Sequence, residues 1–557
     1  MRNYSKICNL LNQEANGKKK PMRLRSDAAL SADELVQAAL SDATLKTNQK
    51  TIQKAYDYVQ KLAKDRKAVY VMTTSFGGNI HHIIPPEEAE LLQENLIVSH
   101  ATNVGEFFPY QISKAAFILR TTTLAKGYSG VSPKTIELAS NMIEKGIIPA
   151  VNMHGSLGAS GDIAPLAALA LAMIGKGNVW LPDGATIVPS AEGLRKHGLE
   201  PIKLSYKEGI ALLNGTSMMT SVASFTLHYL KRLLENSLVV SAMSIEALRA
   251  SKKQFDPRLH QLKPHRYEVS TAKVMAAILE QSKLARSHEQ FTKPVEQELK
   301  EHTEAFYSKT DLQGGSYSLR AIPQVYHPIL AAFEGLRTAV DTEINAIDDN
   351  PVVLPDEQDV LHGANFHGYP ISVASDSLNL AIVGVSNMAL ARSDRLLKQH
   401  HSHLPLFLAT GKEGLYIGMH GIQFTAAGIG AELRNLATPN SIEQIPTNND
   451  NQDFVSFGLQ STLKGLEITM LLAYVVAIEY ITAGQGLWLN LKGKSDLGAA
   501  SINDLSPVTR AAYEKMLQVY EPKEDTDQNT IEQTEKLAQS LLLNNLMPDD
   551  LCGQLWR

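Results

Sequence analysis

The sequence contains little cysteine and no strong excess of either charge. Its 557 residues include only two cysteines, Cys8 and Cys552, and the formal net charge is −5. Two cysteines cannot form a disulfide framework, which excludes the small secreted scaffolds and favours a reducing cytoplasm. The mild acidity leaves no electrostatic footprint for nucleic acid. The basic cluster Lys18-Lys19-Lys20, with Arg23 and Arg25, predicts a solvated leader.

The pattern also lacks a secretory signal and a membrane span. The first 30 residues contain no apolar run followed by a small-residue cleavage site. The longest apolar stretch, 466–483, contains Glu467 and Glu479. A carboxylate at the centre of a bilayer costs roughly 3 kcal/mol or more, so this stretch predicts a buried helix. We therefore expect a cytoplasmic protein with neither a membrane nor a nucleic-acid partner.

Hydrophobic periodicity predicts a mainly α fold. Before about residue 205, helical patterns at 50–64 and 86–98 alternate with turns and with a strand-like piece at 177–188. Later segments are long and rich in Leu, Ala and Met, with apolar residues at i, i+3, i+4 and i+7. These segments are 208–250, 325–346, 372–400 and 453–484. Runs of this length are typical of a helical bundle.

Changes in character along the chain predict four regions. They are a flexible leader at 1–25, an N-terminal domain at 26–205, a long-helix bundle at 206–486 and a C-terminal helical tail at 487–557. Long helices with apolar residues on more than one side usually need helices from other subunits. We therefore expect an oligomer.

One short segment has an unusual chemical capacity. Residues 154–166 read His-Gly-Ser-Leu-Gly-Ala-Ser-Gly-Asp-Ile-Ala-Pro-Leu. Its ordinary interpretation is a turn before a helix, capped by Asp162 and with Pro165 in the first turn. However, the Gly161 nitrogen can attack the Ala159 carbonyl, because glycine has no side chain to crowd the approach. Loss of two waters, one taking the Ser160 hydroxyl, then leaves an electrophilic methylene, and Asp162 can assist the proton transfer.

This segment resembles the signature of the methylidene-imidazolone family, the ammonia-lyases and aminomutases that act on histidine, phenylalanine or tyrosine. The resemblance implies that Ala159, Ser160 and Gly161 form 4-methylidene-imidazole-5-one (MIO) autocatalytically, with no metal or nucleotide cofactor. It also implies a fold of the fumarase/aspartase-like superfamily, with the MIO loop in the N-terminal domain before the helical bundle. A homotetramer with shared active sites is implied in the same way.

Six further segments resemble the family in the same order, over about residues 65–490. In the first, Val71 and Ser75 replace two glycines of the family's Tyr-Gly-Val-Thr-Thr-Gly-Phe-Gly loop, which leaves the path of this loop open. The segments are Val69 to Gly78, Leu213-Asn214-Gly215-Thr216, Tyr317-Ser318-Leu319-Arg320, Asp349-Asn350-Pro351, Gly363 to Gly368 and Asn451-Gln452-Asp453.

The resemblance assigns catalytic roles to Tyr70 and Tyr317 besides the tripeptide, and it places Asn214 among the substrate-binding residues. Tyr70 is the base that removes the β-proton, and a phenol needs help from backbone dipoles and a dry site to act at ordinary pH. Tyr317 and Asn214 are expected to face the prosthetic group, where hydrogen bonds can stabilise charge that develops on its ring.

Substrate-binding roles follow from the same blocks. Arg320 suits the substrate carboxylate because guanidinium offers a planar two-point donor, and Asn350 could share that carboxylate. Gly77 would let substrate or backbone approach closely. Glu479 is a candidate for the amine side of the site, with a purely structural ion pair as an equal alternative.

The choice of amino acid depends on two positions. His100 lies where phenylalanine-specific members tend to be apolar, so it favours a hydroxylated or imidazole side chain. Gln452 occupies the place where histidine lyases have a glutamate, which weighs against histidine. Together these positions favour tyrosine, followed by phenylalanine.

Alternative functions remain open from the sequence alone. Lyase and 2,3-aminomutase share every group named above, and the lyase is favoured only because lyases are more frequent in the family. The loop at 65–86 and the segment at 300–316 are candidate lids. A fumarase-type lyase without the electrophile would need a signature loop that is not visible here. An inactive helical scaffold is supported only by Val71 and Ser75.

Overall fold

The structure is a computed structural model that describes residues 4–17, 20–308 and 310–557. About 58% of the residues are helical and 7% lie in strands, so the prediction of a mainly α fold is confirmed. The chain divides into two units, each built from three stretches. The first unit contains Met1–His228, Gly335–Ser377 and Pro439–Glu467, and the second contains Tyr229–Glu334, Leu378–Thr438 and Ile468–Arg557. The division of the chain into four consecutive regions stays a prediction.

Short helices and strands alternate over the first 213 residues. In chain order the elements are α1 (Tyr4–Ala15), β1 (Met22–Arg25), α2 (Ala32–Leu40), β2 (Ala43–Lys46), α3 (Gln49–Lys64), α4 (Ala89–His100), β3 (Val104–Phe107), α5 (Tyr110–Ala125), α6 (Pro133–Glu144), β4 (Ile148–Pro149), β5 (Asn152–His154), α7 (Ile163–Met173), β6 (Asn178–Trp180), β7 (Ile187–Pro189), α8 (Ser190–Lys196) and α9 (Glu208–Leu213).

Long helices dominate the rest of the chain. In chain order the elements of this part are α10 (Ser217–Ala247), α11 (Pro257–Gln261), α12 (Arg266–Ile278), α13 (Glu289–Glu301), α14 (Tyr317–Arg320), α15 (Ile322–Asn345), β8 (Val352–Leu354), β9 (Asp359–Leu361), α16 (Tyr369–Leu397), α17 (Gln399–Ser402), α18 (His420–Leu436), α19 (Gly458–Leu491), α20 (Pro507–Leu517), α21 (Ile531–Leu543) and α22 (Asp549–Leu555).

The sheets are small and local. Strands β1 and β2 pair in parallel, whereas the pairs β3–β5 and β8–β9 and the three-stranded sheet β4–β6–β7 are antiparallel. The strand-like piece predicted at 177–188 forms β6 and β7, which are joined by a turn. Asp183 stabilises that turn by accepting hydrogen bonds from the backbone N–H groups of Ala185 and Thr186.

The predicted long helical segments are present, with one informative break. The segment 208–250 forms α9 and α10, separated at residues 214–216. Asn214 ends α9 with an extended backbone (ψ 118°), and this break brings the 214–216 segment against the turn before α7. There, the backbone N–H of Asp162 donates to the Gly215 carbonyl at 2.7 Å. Hydrophobic periodicity could not predict the break, because the apolar pattern continues through it.

Within the predicted leader at 1–25, residues 4–15 form α1. Ile7, Leu10 and Leu11 are spaced i, i+3 and i+4, so they share one face of the helix, and all three are buried. Of the predicted basic cluster, Lys18 and Lys19 lie outside the described residues. Cys8 of α1 is unpaired, as is Cys552 of α22.

Two helices, α16 and α19, have the length and hydropathy that a membrane span requires. In α19 the most apolar window is 89% buried within the protein. Glu467 and Glu479 both lie in α19, and both are buried. Burial of that kind is typical of a core helix, as its two glutamates predict.

Candidate active site

The first unit contains a cavity of about 520 Å³. Its walls come from the loop at 68–80, the C-terminal half of α4, the starts of α7 and α9, and later loops near residues 350, 363 and 450. Many of the residues that the sequence singles out lie on these walls. They are Tyr70, Gly77, His100, Ser160, Asn214, Asn350 and Gln452.

Tyr70 is a partly buried phenol held by its own loop. The backbone N–H of Gly77 donates a hydrogen bond of 2.9 Å to its hydroxyl oxygen, and the His362 ring meets its ring edge-on at 6.4 Å. Burial raises the pKa of Tyr70, while the hydrogen bond from Gly77 acts in the opposite direction. The phenol therefore has a donor in place for the charge it would acquire as a base.

Val71 has a left-handed backbone, a conformation that favours glycine. Its φ is +59° and its side chain is fully buried. A left-handed backbone costs an L-residue roughly 1–2 kcal/mol, and a β-branched residue is an outlier there. Ser75, at the other replaced glycine, lies outside the left-handed region, and its N–H donates to the His82 carbonyl at 2.8 Å. The loop thus has local backbone strain at Val71, directly after Tyr70.

The tripeptide Ala159-Ser160-Gly161 is packed tightly beside residues 214–216. Gly161 has a φ of +73°, and a Cβ atom on it would overlap the carbonyl oxygen of Gly215. Only glycine fits here, which is the residue that cyclisation through its nitrogen requires. The residues present therefore fit the prosthetic group that the sequence implies.

The Ser160 hydroxyl points to a polar partner on the opposite wall. Gln452 donates from Nε2 to the Ser160 Oγ at 3.1 Å, and its Oε1 accepts from the Thr447 hydroxyl at 3.1 Å. The Asn214 side chain donates to the Ser160 carbonyl at 3.4 Å. Gln452 and Asn214 thus hold Ser160 directly, and Thr447 holds Gln452.

Asp162 follows the tripeptide and is fully buried. It accepts hydrogen bonds from the Ser156 hydroxyl at 3.1 Å and from the Met219 backbone N–H at 2.8 Å. Burial raises its pKa to about 7 despite these donors. A carboxyl with this pKa can both give and take a proton near neutral pH, beside the atoms that must lose water.

Two buried ion pairs lie behind the site. Arg120 pairs with Asp348 at 3.0 Å and also donates to the Asn214 carbonyl. Lys207 pairs with Asp349 at 2.5 Å, and Asp349 accepts from the backbone N–H of Asn350 at 2.7 Å. Each pair fixes the backbone of a cavity residue. Buried ion pairs add little net stability, so their value here is positional.

Asn350 and His100 have orientations set by their hydrogen bonds. The Asn350 Oδ1 accepts from the Gly363 N–H at 2.8 Å, which turns its amide N–H groups to other partners. His100 Nδ1 lies 2.9 Å from the Leu96 carbonyl. A carbonyl only accepts, so Nδ1 donates in this contact, and Nε2 is left for other partners. The Phe76 ring packs edge-on against His100 at 5.3 Å.

Three predicted residues belong to the second unit, and none of them lines this cavity. Tyr317 is 71% exposed, and the Arg320 guanidinium lies 4.6 Å from its ring centre. Glu479 is fully buried in an ion pair with Arg392, at 2.6 and 2.9 Å, and accepts from the Ser244 hydroxyl. An ion pair of this kind is what a purely structural role for Glu479 predicts. A role of Glu479 in binding the substrate amine stays a prediction.

Sequence reasoning missed several residues of the cavity wall, among them His362 and Asn448. Asn448 accepts from the Gly78 N–H at 2.9 Å, and a Cβ on Gly77 would collide with its side chain. Gly77 is therefore needed for close approach of the two loops. The position of Asn448 in the sequence could have indicated it as a site residue, because it lies three residues before the motif Asn451-Gln452-Asp453.

The predicted lids differ in their relation to the cavity. The loop at 65–86 supplies a large part of its wall. The segment at 300–316 belongs to the second unit, and its Lys309 lies outside the described residues. Over the described residues, no group of three or more His, Cys, Asp or Glu side chains is arranged to hold a metal ion. Closure by either segment stays a prediction.

Comparisons with known proteins agree with this geometry. The family model described as aromatic amino acid lyase matches residues 30–517. A tyrosine 2,3-aminomutase of Myxococcus fulvus is 36% identical, over 88% of this chain and 93% of its own. A histidine ammonia-lyase of Gloeobacter violaceus is 35% identical, over 95% and 97%. The solved Pantoea agglomerans phenylalanine aminomutase superposes with a TM-score of 0.87 at 31% identity, over 95% of this chain and all of that one.

Proposed function

Because the chain belongs to the aromatic amino acid lyase family, whose members are ammonia-lyases and aminomutases, we propose that it eliminates ammonia from an aromatic L-amino acid. The favoured substrate is tyrosine, and the product is then the corresponding cinnamate. The observation that carries this proposal is the placement of Ser160 and Tyr70 on the walls of one cavity.

The prosthetic group proposed for this site is MIO, formed from Ala159, Ser160 and Gly161. When present, it supplies an electrophilic carbon that bonds the substrate amine and makes it a better leaving group. Asn214 and Gln452 already contact Ser160, so they are the residues that would hold the group. Asp162, with its pKa raised to about 7, would move the protons during its formation.

Removal of the β-proton is assigned to Tyr70. The Gly77 N–H would stabilise the phenolate by a hydrogen bond that already exists with the phenol. The Asn350 amide N–H groups would bind the substrate carboxylate, since its carbonyl side is engaged by Gly363. The mainly apolar wall formed by Leu96, Phe76 and their neighbours would exclude water.

Tyrosine is favoured by the protonation pattern of His100. With its proton on Nδ1, the ring offers Nε2 as an acceptor, and a phenol hydroxyl is a matching donor. Phenylalanine cannot make this bond and would leave the acceptor without a partner. Histidine could donate, but Gln452 replaces the glutamate that histidine lyases place against an imidazole.

We assign Tyr317 and Arg320 to the cavity of a second copy of the chain, in a homotetramer with shared sites. A tyrosine that is 71% exposed with a guanidinium stacked on its ring is unusual on a free surface. Large apolar side chains of the same unit are also exposed, including Leu380, Leu415 and Phe424. Exposed apolar surface of this kind marks protein–protein contacts. Arg320 would then supply the two-point contact for the substrate carboxylate.

The 2,3-aminomutase reaction is the second candidate. Its support is the 36% identity to a tyrosine 2,3-aminomutase. Both reactions share the elimination step, and they differ in whether ammonia escapes or returns to the β-carbon.

The test is an intact-mass measurement followed by incubation with tyrosine, phenylalanine and histidine in turn. We expect a mass short by two waters, which returns to the full value of the substituted chain in Ser160→Ala. Coumarate from tyrosine would support the lyase, and a β-tyrosine product would support the aminomutase. An unshortened mass with no product from any of the three would contradict both candidates.

A further inference from the structure

A buried glutamine, Gln93, lies behind the loop that carries Tyr70. It belongs to α4 and is fully inaccessible to solvent. Its Nε2 donates to the Val71 carbonyl at 2.8 Å, and its Oε1 accepts from the Ile210 N–H at 3.2 Å. Both ends of one amide are therefore engaged, and the orientation of the side chain is fixed.

The first of these bonds falls on the strained residue of the loop. Val71 has a φ of +59° and directly follows Tyr70. Its N–H donates to the Thr74 hydroxyl at 3.2 Å, and its carbonyl accepts from Gln93. A strained backbone persists only where the surroundings hold it. The Thr74 contact is internal to the loop, whereas Gln93 ties the strained residue to a helix.

The second bond completes a helix end that leads into the site. Lys207, the residue before α9, has a φ of +67° and makes no side-chain cap. The N–H of Ile210 lies in the first turn, where helices leave N–H groups without partners. Gln93 supplies that partner, and α9 ends at Asn214, which contacts Ser160. One amide thus connects the Tyr70 loop with the helix that positions Asn214.

We propose that Gln93 is a positioning residue, which holds Val71 in its left-handed conformation and thereby aims the Tyr70 phenol at the cavity. The inference rests on the proposed function for the role of Tyr70. Gln93 does not itself line the cavity. A glycine at position 71 would adopt the same backbone without being held. The dependence on Gln93 is therefore tied to the valine that this chain has in the loop.

The kinetic test compares Gln93→Leu, Val71→Gly and the double variant. Small displacements of a catalytic group reduce rates by about 10–100-fold, so we expect Gln93→Leu to lower kcat by that factor with little change in KM. Val71→Gly should restore much of the lost kcat in the double variant, because glycine needs no restraint. The matched control is Gln111→Leu, which removes a second buried glutamine, one that bonds Asn12 instead, and should leave kcat unchanged.

A second readout does not require activity. Hydrogen exchange of the 70–78 segment, including the Gly77 N–H, should be faster in Gln93→Leu than in the wild type or in Gln111→Leu. The proposal is overturned if Gln93→Leu retains kcat, if its loss is not relieved by Val71→Gly, or if exchange in 70–78 does not change. A wild type that turns over none of the aromatic amino acids would instead contradict the proposed function. The exchange result would still decide whether Gln93 holds the loop.

Discussion

The Gly77 backbone N–H donates to the Tyr70 hydroxyl oxygen at 2.9 Å, within one short loop. The donor and the phenol lie seven residues apart, so the loop itself provides the group that would stabilise a phenolate. Burial raises the pKa of the phenol, and this hydrogen bond lowers it. The balance between them determines how much base is present at a given pH.

Removing the phenol hydroxyl should stop turnover without preventing formation of the prosthetic group. In Tyr70→Phe the ring packing is kept, but no group remains to take the β-proton, so we expect kcat to fall by about 10²–10⁴-fold. The intact mass should still be short by two waters, because no hydrogen bond joins Tyr70 to Ser160. Near-normal kcat in Tyr70→Phe would assign the base to another residue.

The activity should rise with pH over the neutral and mildly alkaline range. A base acts in its deprotonated form, and the pKa of Tyr70 is raised above its usual value near 10 by burial. Below that pKa the phenolate fraction grows about tenfold per pH unit, and kcat/KM should follow. Measurement of kcat/KM between about pH 6 and 9 checks this. A profile that falls across this range would contradict Tyr70 as the base.

The sequence predicted which residues of the first unit lie together better than it predicted where Tyr317 and Arg320 lie. Tyr70, Ser160, Asn214 and Gln452 belong to separate motifs, yet all four lie on one cavity, because each motif fixes a short, chemically demanding segment. Tyr317 and Arg320 were also predicted as site residues from a motif. A motif does not show which copy of the chain contributes its side chains to a given site.

Exchange of subunits should restore activity between two inactive variants. Ser160→Ala lacks the electrophile and Arg320→Ala lacks the proposed carboxylate contact, so each alone should be nearly inactive. If Arg320 serves the cavity of another copy, mixed oligomers contain some sites with both residues intact. Co-expression with two affinity tags, followed by purification through both, gives the material to assay. Activity no higher than that of either parent would place Arg320 in the cavity of its own chain.

His100 should determine the preference for tyrosine over phenylalanine. His100→Leu removes the acceptor for a phenol hydroxyl and keeps an apolar side chain against Phe76. We expect the ratio of kcat/KM for tyrosine to that for phenylalanine to fall by about 10²-fold or more, because a site built for a hydrogen bond discriminates strongly. Competition between the two substrates measures this ratio directly. An unchanged ratio would mean that His100 only packs against Phe76.

Contacts that connect distant segments could not be predicted from the sequence. Gln93 is one of several polar residues of α4, and nothing in its local pattern shows that it bonds Val71 and Ile210. Asn448 is likewise an ordinary loop asparagine until its contact with Gly78 is known. The left-handed backbone at Val71 also contradicts the preference of valine, so only tertiary structure could reveal it.

Stability should depend on pH through a buried carboxyl of the second unit, that of Glu246. Glu246 of α10 is fully buried, accepts from the Ser506 N–H at 2.8 Å, and has its pKa raised by burial from 4.5 to about 7. The folded protein therefore binds this proton more tightly than the unfolded chain does. Its contribution to stability is full below about pH 4.5 and is lost as pH rises through about 7, a loss of about 3 kcal/mol.

Glu246→Gln keeps an acceptor for Ser506 but does not titrate, so the difference in thermal midpoint between variant and wild type should shift in favour of the variant from pH 5 to pH 8. Asp162 and Glu343 also have raised pKa values, but both proteins retain them, and their effects cancel in the comparison. The control is Glu532→Gln, since Glu532 is exposed and its pKa is lowered beside Lys536, outside this pH range. A constant difference for Glu246→Gln would mean that the carboxyl remains ionised when buried, which would require a cation or further donors to reach it in the assembled protein.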